Sequence, residues 1–424
     1  MPGPMLMDSV VVFGDSLSDI GRKWKTKSGK MATATNQMYV NPSGRFSDCR
    51  NWCDYMIEAA TGQPQVTRTA EGTIALSKMH IELSEDSLFG SLDHPFQYVN
   101  YAEGGACGDK PASKGPFLST FKDEVDWFEE DLRKNPNLQL GNTLFIVWFG
   151  ANDLYTAGRK AVEMRDVANM VGNTQRARLQ EIVRGKGGKS RFVFCNLARA
   201  LTSVRYTKQL QEAENALLRA LNNERVATVS GGRASSLWHA QQALAVATAR
   251  RHTGDRFTKM GRAIREIEEK IALIKNFEVG VMAYNTQMAI NANAQGDMVA
   301  EVGNVLNEET IARLFEGNYG LMAGAMTGRA TQVSSTSYAS GVRPITTIDE
   351  VHPTDALYKL IWEEIYSTLK RQQTTFGRLV GTPVISALAR ESGPNATVSR
   401  DFASVMDQIK SGNFQLRPVT RPRR

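Results

Sequence analysis

Cysteine is scarce in this chain: Cys49, Cys53, Cys107 and Cys195 are the only four in 424 residues. A chain so long and so poor in cysteine is not built on a disulfide framework. Cys49 and Cys53 lack C-x-x-C spacing and have no histidine nearby at zinc-like spacing, so all four read as ordinary thiols in a core. Long apolar runs are also missing, and no stretch approaches the roughly 18 residues that a membrane span needs. The opening segment, Met1 to Asp8, has no basic stretch followed by an apolar one, so no signal peptide is expected. Zinc fingers, aromatic-rich RNA motifs and basic helices with heptads are absent, which makes nucleic acid the weaker reading of a formal net charge of +7. That charge suits an anionic surface such as a phospholipid headgroup layer.

What is present is enough apolar material, 42% of residues, for a sizeable core. Residues 9–13 (SVVVF) read as a short buried strand that ends at Gly14-Asp15-Ser16. Residues 46–60 read as a helix, and 98–102 as a strand that breaks at Gly104-Gly105. Over 119–132, Ser119 or Thr120 can cap a helix whose first turn is acidic and whose Phe121, Val125, Phe128 and Leu132 share one face. Residues 143–149 (TLFIVWF) and 191–195 (RFVFC) are continuous apolar runs of strand length, as expected of central parallel strands. Apolar strands alternating with amphipathic helices argue for an α/β doubly wound sheet.

The middle of the chain differs. Residues 205–275 are rich in Ala, Arg and Gln. Leu210, Ala213, Leu217, Leu218 and Leu221 form one helical stripe, and Phe257, Met260, Ile264, Ile267, Ile271 and Ile274 another, with a turn at Ser230-Gly231-Gly232. This reads as a helical insertion whose stripes pack on the body; a lid or partner-binding arm is the alternative. Val281-Met282-Ala283-Tyr284 reads as the start of a helix and 298–302 as a strand. Residues 412–424 carry Arg417, Arg421, Arg423 and Arg424 with no acid, the pattern of a disordered basic tail.

Four segments carry chemistry. Gly14-Asp15-Ser16-Leu17-Ser18-Asp19 follows a strand, where a tight turn can expose a serine hydroxyl near a helix N-terminus. A plain turn with Ser16 or Asp15 as helix cap explains that segment equally well. Asn100-Tyr101-Ala102-Glu103-Gly104-Gly105 offers glycine N–H groups that a ligand can approach closely. Gly150-Ala151-Asn152-Asp153 ends another strand and can aim an amide at the same point, although Asn/Asp turns are common. Asp349-Glu350-Val351-His352 supplies a histidine base with a carboxylate three residues before it. Of the five histidines (His80, His94, His239, His252 and His352), only His352 has an Asp at that offset. A salt-bridging surface turn is the ordinary alternative for one D-x-x-H. Taken together, the strand ends would meet at one edge of a parallel sheet, where ligands bind in open α/β folds. Ser18 breaks the G-x-S-x-G pattern of ordinary α/β-hydrolases.

These motifs resemble the GDSL esterase/lipase family, also called SGNH hydrolases. Pro42-Ser43-Gly44-Arg45-Phe46-Ser47, with Asn51-Trp52, resembles its lipase branch. The resemblance covers 1–203 and 277–373, leaving 204–276 as the insertion and 374–424 as a C-terminal extension. It implies a three-layer α/β/α domain on a five-stranded parallel, flavodoxin-like sheet. It implies Ser16 as nucleophile, His352 as general base and Asp349 as its orienting partner. The oxyanion donors would be the Ser16 N–H, the Gly105 N–H and the Asn152 side chain, although Gly104 could replace Gly105. Substrates would be carboxylic esters, including lipid and phospholipid acyl esters, with no metal and no cofactor. Some family members transfer the acyl group to a sterol or another alcohol, and several bacterial members of that kind are secreted or injected. Lipid acyltransfer is therefore the alternative activity, and a partner-binding effector using 204–276 the alternative class. Location stays open between a secreted or injected bacterial protein and a cytoplasmic one.

Overall fold

The computed structural model describes residues 5–34, 38, 40–61, 64–68, 74–76, 97–110, 118–137, 140–199, 204–222, 240–241, 243–245, 259–305, 351–371 and 374–376. Asp349, Phe257, the turn at 230–232 and the basic tail lie outside them.

Five parallel strands make the main sheet: β1 (Ser9–Gly14), β2 (Gln97–Asn100), β3 (Asn142–Trp148), β4 (Lys189–Cys195) and β5 (Met298–Ala300). Their spatial order is β2-β1-β3-β4-β5, the flavodoxin-like order. β1 is buried along its whole length, which is why its sequence runs apolar on both faces. Met5–Met7 pairs in parallel with Thr374–Phe376 as a separate two-stranded ribbon.

The helices are α1 (Trp52–Thr61), α2 (Phe121–Lys134), α3 (Ala151–Tyr155), α4 (Met164–Asn169), α5 (Arg176–Gly185), α6 (Val204–Asn222), α7 (Lys259–Gln295) and α8 (Asp355–Arg371). α4 passes into α5 through a π-helical stretch, Met170–Gln175. On one face of the sheet, Phe121 and Phe128 of α2 pack on Phe13, and Arg176 of α5 lies over Phe192. Phe13, Phe145 and Phe192 stack in turn from strand to strand. Helices α1 and α8 pack together as the opposite layer. The architecture is thus three-layer α/β/α. Among the described residues, no helix is long and apolar enough to cross a membrane.

Four local expectations need correction. The strand expected over 298–302 ends at Ala300, and Val302 already begins a short helix, Val302–Val305. The helix expected over 46–60 starts only at Trp52. Asn51 stops it from extending backwards: its Oδ1 accepts from the Cys53 and Asp54 N–H groups, an N-terminal cap. Before it, the polar groups of 41–50 are committed to turns. Residues 281–284 do not begin a helix but lie inside α7, which runs unbroken for 37 residues across position 276. Tyr284 and Met288 of α7 are buried in the same core as Ile267 and Ile274, so one continuous apolar face carries the helix through. The strand expected to end at Ala102 ends at Asn100, whose Oδ1 turns back to accept the Ala102 N–H.

Helix α6 packs on α7, with Leu210, Ala213 and Leu217 buried between them. At its start, Tyr206 meets Tyr155 of α3 edge-on at 5.7 Å and Phe277 of α7 at 5.4 Å. All four cysteines are buried free thiols.

Candidate active site

The carboxyl ends of β1, β2 and β3 deliver three turns to one edge. In the first, Asp15 accepts the Ser18 and Asp19 N–H groups at its carbonyl, both at 3.0 Å, and the Leu17 N–H at Oδ1. Such an Asx turn fixes Ser16 between bonded neighbours. A side chain at Gly14 would come within 2.9 Å of Ser18 Oγ and 3.0 Å of the Trp148 carbonyl, so glycine there lets the turn pack closely without displacing either. Ser16 itself is half-buried.

His352 enters from the turn before α8. Its Nε2 lies 2.7 Å from Ser16 Oγ, although 336 residues separate them in sequence. With the ring proton on Nδ1, the hydroxyl donates to Nε2, the arrangement needed to remove its proton. Asp349, the expected partner of His352, lies outside the described residues.

The second turn separates the two glycines. The Gly104 N–H is committed to Asp19 Oδ2 at 2.7 Å. Gly105 has φ +89°, a left-handed conformation suited to glycine, and its N–H makes no hydrogen bond among the described residues. The neighbouring Ala106 carbonyl accepts from Asn152 Nδ2 at 3.2 Å, which places Asn152 beside Gly105.

In the third turn, Gly150 at φ +116° precedes α3 and leaves Asn152 in its first turn. Thr156 Oγ1 donates to Asn152 Oδ1 at 2.7 Å and so turns the amide nitrogen toward the site. That nitrogen reaches the Ala106 carbonyl and, at 3.3 Å, Asp15 Oδ2. Both contacts are long, and an approaching anion can compete for these hydrogens.

Buried carboxyls tie the turns together, and sequence reasoning gave them no such part. Glu124 of α2 accepts the Gly14 N–H at 3.0 Å through one oxygen and the Glu103 N–H at 3.1 Å through the other. Asp19 accepts the N–H groups of Gly21, Arg22, Lys23 and Gly104. Asp153 accepts from Gly108 at 2.7 Å and pairs with Arg159. Burial raises all of them: Asp19 and Asp153 to about 6, Glu124 well above the carboxylate range. Asp15 is pushed up to about 7 by burial, against the opposing pull of the Leu17 N–H and the charge of His352. In the sequence, Glu124 reads only as a first-turn helix acid, because nothing local reveals its two distant partners. Among the described residues, no three His, Cys, Asp or Glu side chains converge as metal ligands do.

A doubly wound parallel sheet with a serine–histidine pair at its carboxyl edge defines an α/β protein of the hydrolase class. The family model described as GDSL-like Lipase/Acylhydrolase matches residues 10–365, most of the chain, and the protein belongs to that family. It is therefore a hydrolase, and esters are its substrates at the level of the family. No curated protein sequence matches the chain. Among solved structures, an alpha/beta hydrolase named LAE5, from the metagenome of Lake Arreo, Spain, is similar at 9% sequence identity and a TM-score of 0.35. That match covers 87% of this chain and 97% of the other, a likeness too slight to bear on function.

Proposed function

We propose that the protein cleaves carboxylic esters, lipid acyl esters among them, through an acyl-Ser16 intermediate. The 2.7 Å contact between His352 Nε2 and Ser16 Oγ carries this reading. Ser16 attacks the ester carbonyl while His352 takes the hydroxyl proton. The carbonyl oxygen becomes an oxyanion held by the N–H groups of Ser16 and Gly105 and by the Asn152 amide. Gly105 is preferred to Gly104 because the Gly104 N–H is already bonded to Asp19. The alcohol leaves with the proton from His352, and water then attacks the acyl-enzyme by the same route. Asp349 is the proposed partner that fixes the ring proton of His352 on Nδ1.

The formal charge of +7 supports an anionic lipid surface as the place where substrate is met. Water is the proposed acceptor. An alcohol such as a sterol would take the acyl group if it displaced that water, and products from phospholipid vesicles with and without cholesterol separate the two. Turnover of p-nitrophenyl butyrate tests the central step. Ser16→Ala is expected to abolish it with an unchanged circular dichroism spectrum; turnover retained in that variant overturns the assignment.

A further inference from the structure

The turn that carries His352 is gripped from outside its own helix by the loop at 41–51. The Phe46 ring lies 4.8 Å from the imidazole, centroid to centroid, with the planes tilted by 40°. Three residues beyond His352, the Asp355 N–H donates to Asp48 Oδ1 at 2.6 Å. Three further on, the Tyr358 hydroxyl donates to the Phe46 carbonyl at 3.1 Å. The loop therefore touches residues 352, 355 and 358, from the histidine turn into the first turn of α8.

The loop is itself stiff. Asn41 Oδ1 accepts from the Ser43 N–H, the Ser43 hydroxyl and the Arg45 N–H, while its amide donates to the Cys49 carbonyl at 2.6 Å. Arg45 forms a buried ion pair with Asp54 at 2.6 Å and also donates to the Ile20 and Ser43 carbonyls. Asn51 Nδ2 donates to the Asp19 carbonyl at 2.9 Å, joining the loop to the turn that bears Ser16. On the far side, a Cβ on Gly104 would lie 2.4 Å from Phe46 Cζ, so glycine there makes room for the ring. One rigid segment thus contacts the serine turn, the glycine turn and the histidine turn.

We propose that Phe46 and Asp48 are positioning residues that hold His352 at bonding distance from Ser16. The inference rests on the reading of His352 as the general base. The imidazole sits in a turn rather than inside a regular element, so its aim depends on what packs against it. Phe46 supplies a flat surface for the ring, and Asp48 fixes where α8 begins. A misplacement of about 1 Å at a reacting group can cost a hundredfold in rate.

The test is steady-state hydrolysis of p-nitrophenyl butyrate by the full chain, normalised to active sites titrated from the p-nitrophenolate burst. Phe46→Leu keeps most of the buried volume without the ring face. Asp48→Ala removes the acceptor, and Asp48→Asn keeps one. The expected result is a fall in kcat per titrated site of about tenfold to a hundredfold in Phe46→Leu and Asp48→Ala, with KM unchanged. Asp48→Asn should restore most of what Asp48→Ala loses. A merely structural role would lower thermal stability and the number of titrated sites but leave kcat per site intact, and that outcome overturns the proposal. Ser16→Ala runs alongside: if it retains turnover, the reading of the site falls and this inference with it. If it is dead while Phe46→Leu and Asp48→Ala match the wild type, only this inference falls.

Discussion

Asn152 shows how single side chains set the chemistry. Thr156 holds its oxygen, so its nitrogen has no choice but to face the Ala106 carbonyl and Asp15. Asn152→Ala is expected to lower kcat for p-nitrophenyl butyrate by about 10²–10³-fold with KM little changed. A loss confined to KM would contradict an oxyanion role. Asp15 offers a second test, in equilibrium stability. Burial pushes its carboxyl up to about 7 in the folded protein, from an ordinary value of 3.8. Between those values the native state binds more protons than the unfolded one, so this group's contribution to stability falls as pH rises and levels off above about 7. Asp15→Asn, which cannot titrate, is expected to gain on the wild type by about 1.4 kcal/mol per pH unit between about 5 and 7. Urea unfolding of both proteins across that range checks it, and a difference independent of pH would contradict it. At this scale the sequence locates Ser16 and Asn152 in turns that directly follow apolar strands, and the structure has those turns at the same places. The sequence favours Gly105 over Gly104 only by spacing, because the bond from Gly104 to Asp19 spans 85 residues and leaves no local trace.

At the scale of elements, α2 follows from its sequence almost completely. Thr120 and Asp123 form a reciprocal capping box, acids occupy the first turn, and Phe121, Val125, Phe128 and Leu132 are buried on one face. The stretch before α1 did not follow, because Phe46 to Arg50 mimics helical periodicity while its polar groups are spent on turns and on Asp355. Helix α7 was legible as a stripe but not as one 37-residue rod, since composition changes midway while burial does not. Glu124 shows an element acting at a distance: α2 reaches across to pin two site turns by their N–H groups. Glu124→Ala leaves the Gly14 N–H without this acceptor, at a cost of about 1–3 kcal/mol, while the Glu103 N–H keeps its second acceptor, the Gly14 carbonyl, at 3.0 Å. A clear drop in the urea midpoint together with reduced kcat is expected. An unchanged kcat in the folded variant would show that the two turns hold their geometry without it.

The whole molecule explains why the site lies where it does. In the order β2-β1-β3-β4-β5, chain connections diverge between β1 and β3, and ligands of open α/β sheets bind beyond the strand ends at such a switch point. Ser16 follows β1, Asn152 follows β3, and the glycine turn follows β2. Alternating apolar strands and helices made the doubly wound class legible from sequence. The strand order was not, because parallel pairing is decided by packing between segments far apart in the chain. The contact between Ser16 and His352 is likewise a product of the whole fold, and it leads to the most direct measurement of the central claim. The intact protein is treated with a p-nitrophenyl alkylphosphonate, and the modified residue is located by peptide mass spectrometry. The structure predicts a single adduct on Ser16, lost in His352→Ala and in the urea-unfolded chain. An adduct on another residue, or equal labelling of Ser16 after unfolding, would contradict it.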